Sequence, residues 1–209
     1  MEAKYLLHCF EKDAGSQAVL HLAEYLSSPL ETRLLKPNNV NEGIYKKSLT
    51  KTFPMLAIGE ESFIERTPAI LRFIDRSKGA SLSSGLGDKA PLADSLLDSI
   101  YFEFGQSFFA LSAESKKLIQ LEQPEIDLLT EKAIEGLKHF DQFFGKELEL
   151  GINLADFLIV EFLSAIAEVE GLKKTFGEMK NLKKRLEKLK ADDKFAKGSE
   201  EQLKVLLAF

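Results

Sequence analysis

Residues 52 to 76, TFPMLAIGEESFIERTPAILRFIDR, decide the fold of this chain. An apolar run, a turn at Gly59 and the short run SFIE predict two paired strands. Pro54 falls inside the first strand, although a proline removes a backbone donor and is normally excluded from central strands. The next segment predicts a helix with Thr67 at the N-cap and Pro68 at the first helical position, where a missing N–H costs nothing. The stretch therefore predicts a strand, a hairpin and a helix, and leaves one proline to be explained.

The residues before this stretch predict two short strands separated by a helix. KYLLHCF is a buried strand in this interpretation, SQAVLHLAEYL is a helix with Ser16 at its N-cap, and ETRLLKP is a strand that Pro37 ends. Residues 1–78 therefore form a β-α-β-loop-β-β-α unit.

The rest of the chain predicts a Gly/Ser-rich linker at 79–91 and an all-helical domain at 92–209. The segment INLADFLIVEFL, which is almost wholly apolar, predicts a central buried helix. Its start has the pattern of a capping box, in which Asn153 and Asp156 each accept a hydrogen bond from the other's backbone N–H. Ile152 before the cap and Phe157 at the fourth helical position predict a hydrophobic staple. This pattern directs folding, because a capping carboxylate is already bound to its donors.

Composition narrows the functional classes. The chain has 209 residues, of which 44% are hydrophobic and 29% charged, and a net charge of −5. That charge argues against nucleic-acid binding by bulk electrostatics. The single cysteine, Cys9, excludes an intramolecular disulfide and suits a reducing compartment, so we expect a cytoplasmic protein. The sequence shows no membrane span, secretory signal or cluster of metal ligands.

The order of elements, the proline strand and the capping box together resemble the glutathione transferase superfamily over nearly the whole chain. The resemblance implies a thioredoxin-like N-terminal domain followed by an all-α domain. It also implies a cis bond before Pro54, and Phe53 presenting its backbone to the cysteinyl part of glutathione. In that case Pro54 ends the pairing of its strand and opens a ligand groove.

The residues that bind glutathione in this family depart from its pattern here. Family enzymes usually carry a Gln-Ser or Glu-Ser pair that binds the γ-glutamyl end of glutathione, and Arg66 and Thr67 stand at those positions. Thr67 keeps a hydroxyl and a helix N-terminal N–H, which suit a carboxylate. The Arg66 guanidinium accepts no hydrogen bond from an ammonium group and would repel it. Glu65, one residue earlier, could substitute only if the turn shifts.

The group that activates the thiol in this family also departs from its pattern here. Family enzymes use a Tyr or Ser hydroxyl at the end of the first strand or just after it, or a Cys at the first helix. In LLHCFEKDAGSQ, Cys9 still lies within the predicted strand, where a buried thiol behaves as a small hydrophobic group with a raised pKa. Tyr5 and Ser16 fit the register less well. We therefore assign no catalytic residue, with Cys9 as the alternative.

The C-terminal part carries a strong charge asymmetry. Residues 173–197 contain ten Lys/Arg and four Asp/Glu, a local balance of +6, whereas the rest of the chain balances to −11. The favoured interpretation is the solvated face of an amphipathic helix that packs Leu182, Leu186 and Leu189 inward. A weak contact with RNA or an acidic surface is the alternative.

Two hypotheses follow. The first is a non-catalytic interaction domain without a cofactor. It resembles the glutathione-transferase-like domains of the gamma subunit of translation elongation factor 1B and of aminoacyl-tRNA synthetase complexes. Its partners would be other such domains or translation proteins, in homo- or heterodimers and away from membranes. The second is a divergent glutathione transferase, with glutathione as substrate and the aromatic helix at 101–109 lining a pocket for a hydrophobic electrophile.

Overall fold

A computed structural model of the chain describes residues 5–11, 13–28, 30–36, 43, 46, 48–50, 52–59, 62–115, 117, 119–146, 150–167 and 169–208. The four strands of its sheet are β1 (Tyr5–Phe10), β2 (Leu30–Leu35), β3 (Met55–Ile58) and β4 (Ser62–Glu65). They lie in the order β2-β1-β3-β4. β1 and β2 are parallel, and β3 is antiparallel to both β1 and β4. The sheet is thus mixed, as the predicted thioredoxin-like unit requires.

Pro54 lies immediately before β3, so its placement inside the strand was wrong. Strand pairing begins at Met55, which lies opposite Glu65 of β4. Pro54 has no N–H to donate and therefore cannot extend that ladder. The peptide bond between Phe53 and Pro54 is cis.

Both helices of the N-terminal part begin at other residues than the sequence predicted. Helix α1 (Ala14–Tyr25) is capped by Asp13 and not by Ser16, because the Asp13 carboxylate accepts the Ser16 backbone N–H at 2.8 Å. Helix α2 (Thr67–Ser77) has Arg66 at its N-cap, so Thr67 is the first helical residue. The Arg66 backbone, at φ 72° and ψ 130°, makes the sharp entry that places Thr67 inside the helix.

The Gly/Ser-rich connector is largely helical. It contains α3 (Ser81–Ser84) and a 3-10 turn (Gly87–Lys89), and α4 begins at Ala90. Asp75 of α2 is fully buried and accepts the backbone N–H groups of Leu82 and Ser83 at 3.0 and 3.1 Å. These bonds cap α3 from a neighbouring helix, a long-range effect that local composition does not reveal.

The helical part continues as α4 (Ala90–Asp98), a π-helical segment (Ser99–Phe104), α5 (Gly105–Ser115), α6 (Gln123–Phe144), α7 (Leu154–Ile166), α8 (Glu170–Glu178), α9 (Lys180–Lys190), α10 (Asp193–Lys197) and α11 (Glu200–Leu207). α7 is the predicted central helix, and residues 154–163 are all buried. It packs against α1, α4, α5 and α11, so one helix joins the sheet unit to the helical part. No helix among the described residues is long and apolar enough to cross a membrane.

The aromatic helix mainly supplies core. Phe104 and Phe108 are buried, and both rings pack edge-on against Phe140 of α6. Phe109 packs against Phe162 of α7. Phe102, by contrast, is 49% exposed. A pocket lined by the whole aromatic stripe is therefore absent from this part of the structure.

The basic segment at 173–197 spans the end of α8, all of α9 and α10. Leu182, Leu186 and Leu189 are buried as predicted. Arg185 contradicts a fully solvated basic face, since it is 8% exposed and points into the protein.

Candidate functional site

Three chain segments meet at the carboxyl end of β1: the start of α1, the turn before β3 and the start of α2. Gly15, in the first turn of α1, marks the contact. A Cβ on Gly15 would overlap Thr67 Oγ1 and lie 3.4 Å from Pro54 Cδ. The absence of a side chain at Gly15 therefore allows α1 to rest directly on Pro54 and Thr67. This junction is where the sequence placed a glutathione site.

Thr67 has the features of an anion-binding residue. Its side chain is fully buried, and both its backbone and its hydroxyl are within hydrogen-bonding reach of the Tyr101 phenol. It stands in the first turn of α2, where backbone N–H groups point outward and no side chain caps them. A ligand oxygen bound here would meet the Thr67 hydroxyl and these N–H groups as donors.

Arg66 and Phe53 border this junction. Arg66 holds a positive φ, a conformation that costs a non-glycine residue about 1–3 kcal/mol and is commoner at ligand sites than elsewhere. Its guanidinium lies over the Phe102 ring, 5.6 Å from the centroid, and so reaches from the sheet unit to the helical part. Phe53 is half-buried, and its ring packs edge-on against Phe10 at 5.1 Å.

Glu65 cannot replace the missing acidic partner. Its carboxylate accepts the backbone N–H groups of Leu49 and Thr50, each at 2.7 Å. Burial raises the pKa of Glu65, but hydrogen bonds from Thr50, Leu49 and Ser48 outweigh it and hold the pKa below its ordinary value. The carboxylate is thus committed to the loop before β3.

Cys9 lies inside β1 and is fully buried. Burial raises the pKa of its thiol to about 11, and the Asp13 carboxylate contributes to the rise. A thiolate is the reactive form of cysteine, so at neutral pH this side chain is an inert thiol.

Asp13 occupies the start of α1, the place where a thiol-activating hydroxyl was expected. Its Oδ2 accepts both the backbone N–H and the hydroxyl of Ser16, at 2.8 and 2.6 Å. The Ser16 hydroxyl is therefore engaged as a donor, and its side chain is fully buried. A carboxylate at this point repels a thiolate, whereas a hydroxyl would donate a hydrogen bond to it.

Tyr101, of the π-helical segment, closes the junction from the helical part. Burial raises the pKa of its phenol, the Asp13 carboxylate raises it further, and Arg66 and Thr67 oppose both effects. The phenol is therefore protonated at neutral pH, within the electrostatic reach of all three residues. Sequence analysis treated Tyr101 only as one member of an aromatic stripe.

The predicted capping box lies away from this junction and is present. The Asn153 backbone N–H donates to Asp156 Oδ2 at 2.9 Å, and Asn153 Oδ1 accepts from Ala155 at 3.0 Å. Ile152 is half-buried and Phe157 fully buried, at the two positions of a staple.

The capping box has a further partner that sequence analysis missed. Arg185 Nε donates to Asp156 Oδ1 at 2.8 Å, and Arg185 Nη2 donates to Asp156 Oδ2. The guanidinium also donates to the carbonyls of Leu150 and Gly151 at 2.8 and 2.9 Å. Burial lowers the pKa of Arg185, but the Asp156 carboxylate outweighs this and holds the pKa above its ordinary value.

An open groove of about 590 Å³ runs along α4 and the π-helical segment. Its lining includes Asp94, Asp98, Glu103 and, as the sole aromatic residue, Phe102. Asp94 and Asp98 bind Arg72 of α2 at 2.9 and 3.0 Å. The charged side chains that line this groove make it unsuited to a hydrophobic electrophile. Among the described residues, no three His, Cys, Asp or Glu side chains are grouped to hold a metal ion.

Solved structures of glutathione transferases are similar to this chain along nearly its whole length. A glutathione transferase of Phanerochaete chrysosporium in complex with oxidized glutathione superimposes with a TM-score of 0.79 at 16% identity, over 98% of each chain. A delta-class glutathione transferase of Nilaparvata lugens gives a TM-score of 0.75 at 19% identity, over 98% of this chain and 99% of that one. One from Populus trichocarpa gives 0.75 at 15% identity, over 95% and 98%.

By sequence, no protein-family model and no curated protein matches the chain. Identities of 15 to 19% establish the fold and leave the activity open. The four-stranded mixed sheet and the helical remainder correspond to the thioredoxin-like and helical parts of these structures. The chain therefore has the glutathione transferase fold.

Proposed function

We propose that this chain is a non-catalytic interaction domain built on the glutathione transferase fold. The observation that carries the proposal is that the side chains near the end of β1 are unsuited to activating a thiol. Asp13 stands where a thiol-activating hydroxyl is expected, and the Cys9 thiol is buried with its pKa raised to about 11. Conjugation requires a glutathione thiolate near neutral pH, and the Asp13 carboxylate disfavours that ion.

Arg66 supports the same proposal from the other end of the groove. The γ-glutamyl end of glutathione carries an ammonium group, which needs an acceptor. Arg66 offers donors and a positive charge, and Glu65 is bound to Leu49 and Thr50. The residues that usually bind the ammonium group of glutathione and activate its thiol are thus both replaced.

For partners we propose other domains of this fold or proteins of translation, bound in homo- or heterodimers in the cytoplasm. The exposed lysines of α9 support a further weak contact with RNA or an acidic protein surface. Lys180, Lys184, Lys188 and Lys190 are all exposed on this helix. Recovery of elongation factor or synthetase subunits in a pull-down would support the partner class. If neither is recovered, the proposed partner class is wrong, but the non-catalytic proposal is unaffected.

The variant Asp13→Ser tests whether the Asp13 carboxylate prevents catalysis. Serine caps a helix about as well as aspartate, so α1 should be retained while a hydroxyl replaces the carboxylate. We expect no conjugation of glutathione to an electrophile by the wild type or by Asp13→Ser alone, and measurable turnover when Asp13→Ser is combined with Arg66→Gln, whose amide oxygen can accept a hydrogen bond from the ammonium group. Asp13→Asn is the matched control, because it removes the charge without adding a hydroxyl. Turnover by the wild type at rates of ordinary transferases would refute the proposal.

A divergent glutathione transferase is the second candidate, and Thr67 is the observation that favours it. Its buried hydroxyl, next to cis Pro54 and at the start of α2, is suited to a carboxylate of glutathione. Calorimetric titration with glutathione separates the two candidates. Heat that is lost in Thr67→Val, together with turnover, would establish an enzyme. The absence of both heat and turnover would show that the groove does not bind glutathione.

A further inference from the structure

A histidine and a glutamate are buried together where α1 meets the last helices. His21 of α1 is 4% exposed and Glu161 of α7 is 3% exposed. His21 Nε2 lies 2.9 Å from the carbonyl oxygen of Phe195 in α10, and His21 Nδ1 lies 4.0 Å from Glu161 Oε1. Gln202 of α11 donates to Glu161 Oε2 at 3.4 Å. The cluster therefore joins the sheet unit to three helices of the helical part.

The surroundings of His21 fix its ring and exclude solvent. Phe157 and Phe195 contact the imidazole edge-on, with centroids 4.8 and 4.5 Å away. Gly198 approaches so closely that a Cβ there would lie 2.5 Å from His21 Cδ2. A charge on either member of the pair would thus be poorly solvated.

Hydrogen-bond chemistry determines where the protons must be. A carbonyl oxygen can only accept, so Nε2 of His21 carries the hydrogen that binds Phe195. Nδ1 of the neutral ring is then a lone pair, and it has no hydrogen-bond partner among the described residues. An ionised Glu161 would face that lone pair. A single proton on Glu161 or on Nδ1 removes this conflict.

The neighbouring charges are already partnered. α5 meets α7 through Phe108 and Phe109 on Phe162, and α11 offers the neutral amide of Gln202. The charged groups of the surrounding helices pair as Glu24 with Lys197, Asp156 with Arg185, Lys194 with the Tyr25 ring, and Asp94 and Asp98 with Arg72.

Electrostatics decide which member keeps the proton. Burial raises the pKa of Glu161 from 4.5 to about 7, against a lowering by Gln202. Burial lowers the pKa of His21 below 6.5, against the opposing effects of the Phe195 carbonyl and Glu24. In the folded protein Glu161 therefore binds a proton more tightly than His21, whereas in the unfolded chain His21 binds it more tightly.

We propose that His21 and Glu161 hold one proton between them, and that folding moves this proton from the imidazole to the carboxylate. The unfolded chain between the two ordinary pKa values has an imidazolium and a carboxylate. On folding, the Nδ1–H bond breaks and an O–H bond forms on Glu161, so the net charge of the pair does not change. The junction thereby buries two titratable groups as a neutral acid and a neutral imidazole. This inference is independent of glutathione binding.

Single variants should unmask two pH dependences that cancel in the wild type. In His21→Leu, Glu161 remains with a raised pKa, so its stabilisation is present below pH 4.5 and is lost as the pH rises through about 7. In Glu161→Gln, His21 remains with a lowered pKa, so its stabilisation is present above pH 6.5 and is lost as the pH falls. The double variant should show neither dependence.

Urea unfolding of the four proteins between about pH 5 and about pH 8 tests this proposal. Relative to the double variant, the unfolding equilibrium constant of His21→Leu should rise by about 70-fold over this pH range, as expected for a carboxyl whose pKa moves from 4.5 to about 7. Glu178→Gln, an exposed acid on α8, is the control and should follow the wild type.

Carbon-13 NMR of the wild type, labelled at glutamate carboxyl groups, makes the test independent of whether the variants fold. A Glu161 resonance that titrates near neutrality would support the shared proton. Titration of Glu161 at its ordinary pKa, or parallel pH profiles for all four proteins, would overturn it.

Discussion

Replacing Arg185 by methionine tests whether the central helix depends on a cation that lies 29 residues away in sequence. The Asp156 carboxylate is fully buried, and Arg185 binds both of its oxygens. In Arg185→Met, Asp156 keeps the Asn153 N–H at 2.9 Å and the favourable N-terminal end of α7, but no counter-charge. Methionine matches the length of the arginine stem, so packing changes little.

The magnitude follows from what remains unpaired. Removing one partner of a buried ion pair costs about 3–5 kcal/mol, and the remaining cap bond places this case at the lower end. The Leu150 carbonyl, which is buried, also loses its donor, at a further cost of about 1 kcal/mol. The Gly151 carbonyl keeps the Asn153 side-chain amide at 3.2 Å and adds little. We therefore expect a loss of about 4 kcal/mol, a large part of the stability of a domain.

Urea unfolding monitored by far-UV circular dichroism measures this loss, and a double-mutant cycle with Asp156→Asn identifies its cause. Asparagine keeps an acceptor for the Asn153 N–H but carries no charge. The double variant should recover at least about 2 kcal/mol relative to additive behaviour, because no buried charge is then left alone. A loss under about 1 kcal/mol in Arg185→Met, or strict additivity, would refute the reasoning.

Two further predictions concern packing and the connector. Gly198→Ala should destabilise the protein by about 1–3 kcal/mol, because its Cβ would press on His21, whereas Gly151→Ala, with nothing within 4 Å, should change stability by less than about 0.5 kcal/mol in the same urea assay. Asp75→Ala should cost about 3 kcal/mol, since it removes the acceptor of the Leu82 and Ser83 N–H groups, and should speed amide hydrogen exchange at Leu82. Unchanged exchange at Leu82 would contradict the assigned role of Asp75.

Local patterns predicted the order of the elements but not where each one begins. Strand SFIE has the predicted bounds, because a turn and a helix start enclose it. The caps of α1 and α2 were misplaced because several polar residues compete at each helix start. At α1, the spacing of Asp13 and Ser16, cap and third helical residue, was itself a readable cap signal. The helical connector depends on Asp75, which no local pattern connects to Leu82.

The buried charged groups were missed although the sequence marked them. Arg185 lies three residues from Leu182 and four from Leu189, on the apolar stripe of α9 and not on its basic face. His21 falls on the buried face of α1, next to Leu22, and Glu161 is the one acidic residue in the interior of α7. A charged residue on an apolar face indicates a buried partner. Its identity, however, depends on the tertiary packing of helices far apart in the sequence.

The junction at which the resemblance implies a glutathione site also has a packing role. Gly15 fits against Pro54 and Thr67, so any side chain at Gly15 would push α1 away from the sheet. Thr67 is fully buried between these elements without any ligand. Arg66 is exposed, whereas the Asp13 carboxylate caps α1 through Ser16, so a change at position 13 that keeps the cap should leave that contact in place. Retention of the junction is therefore expected from packing alone, so it does not distinguish an interaction domain from an enzyme.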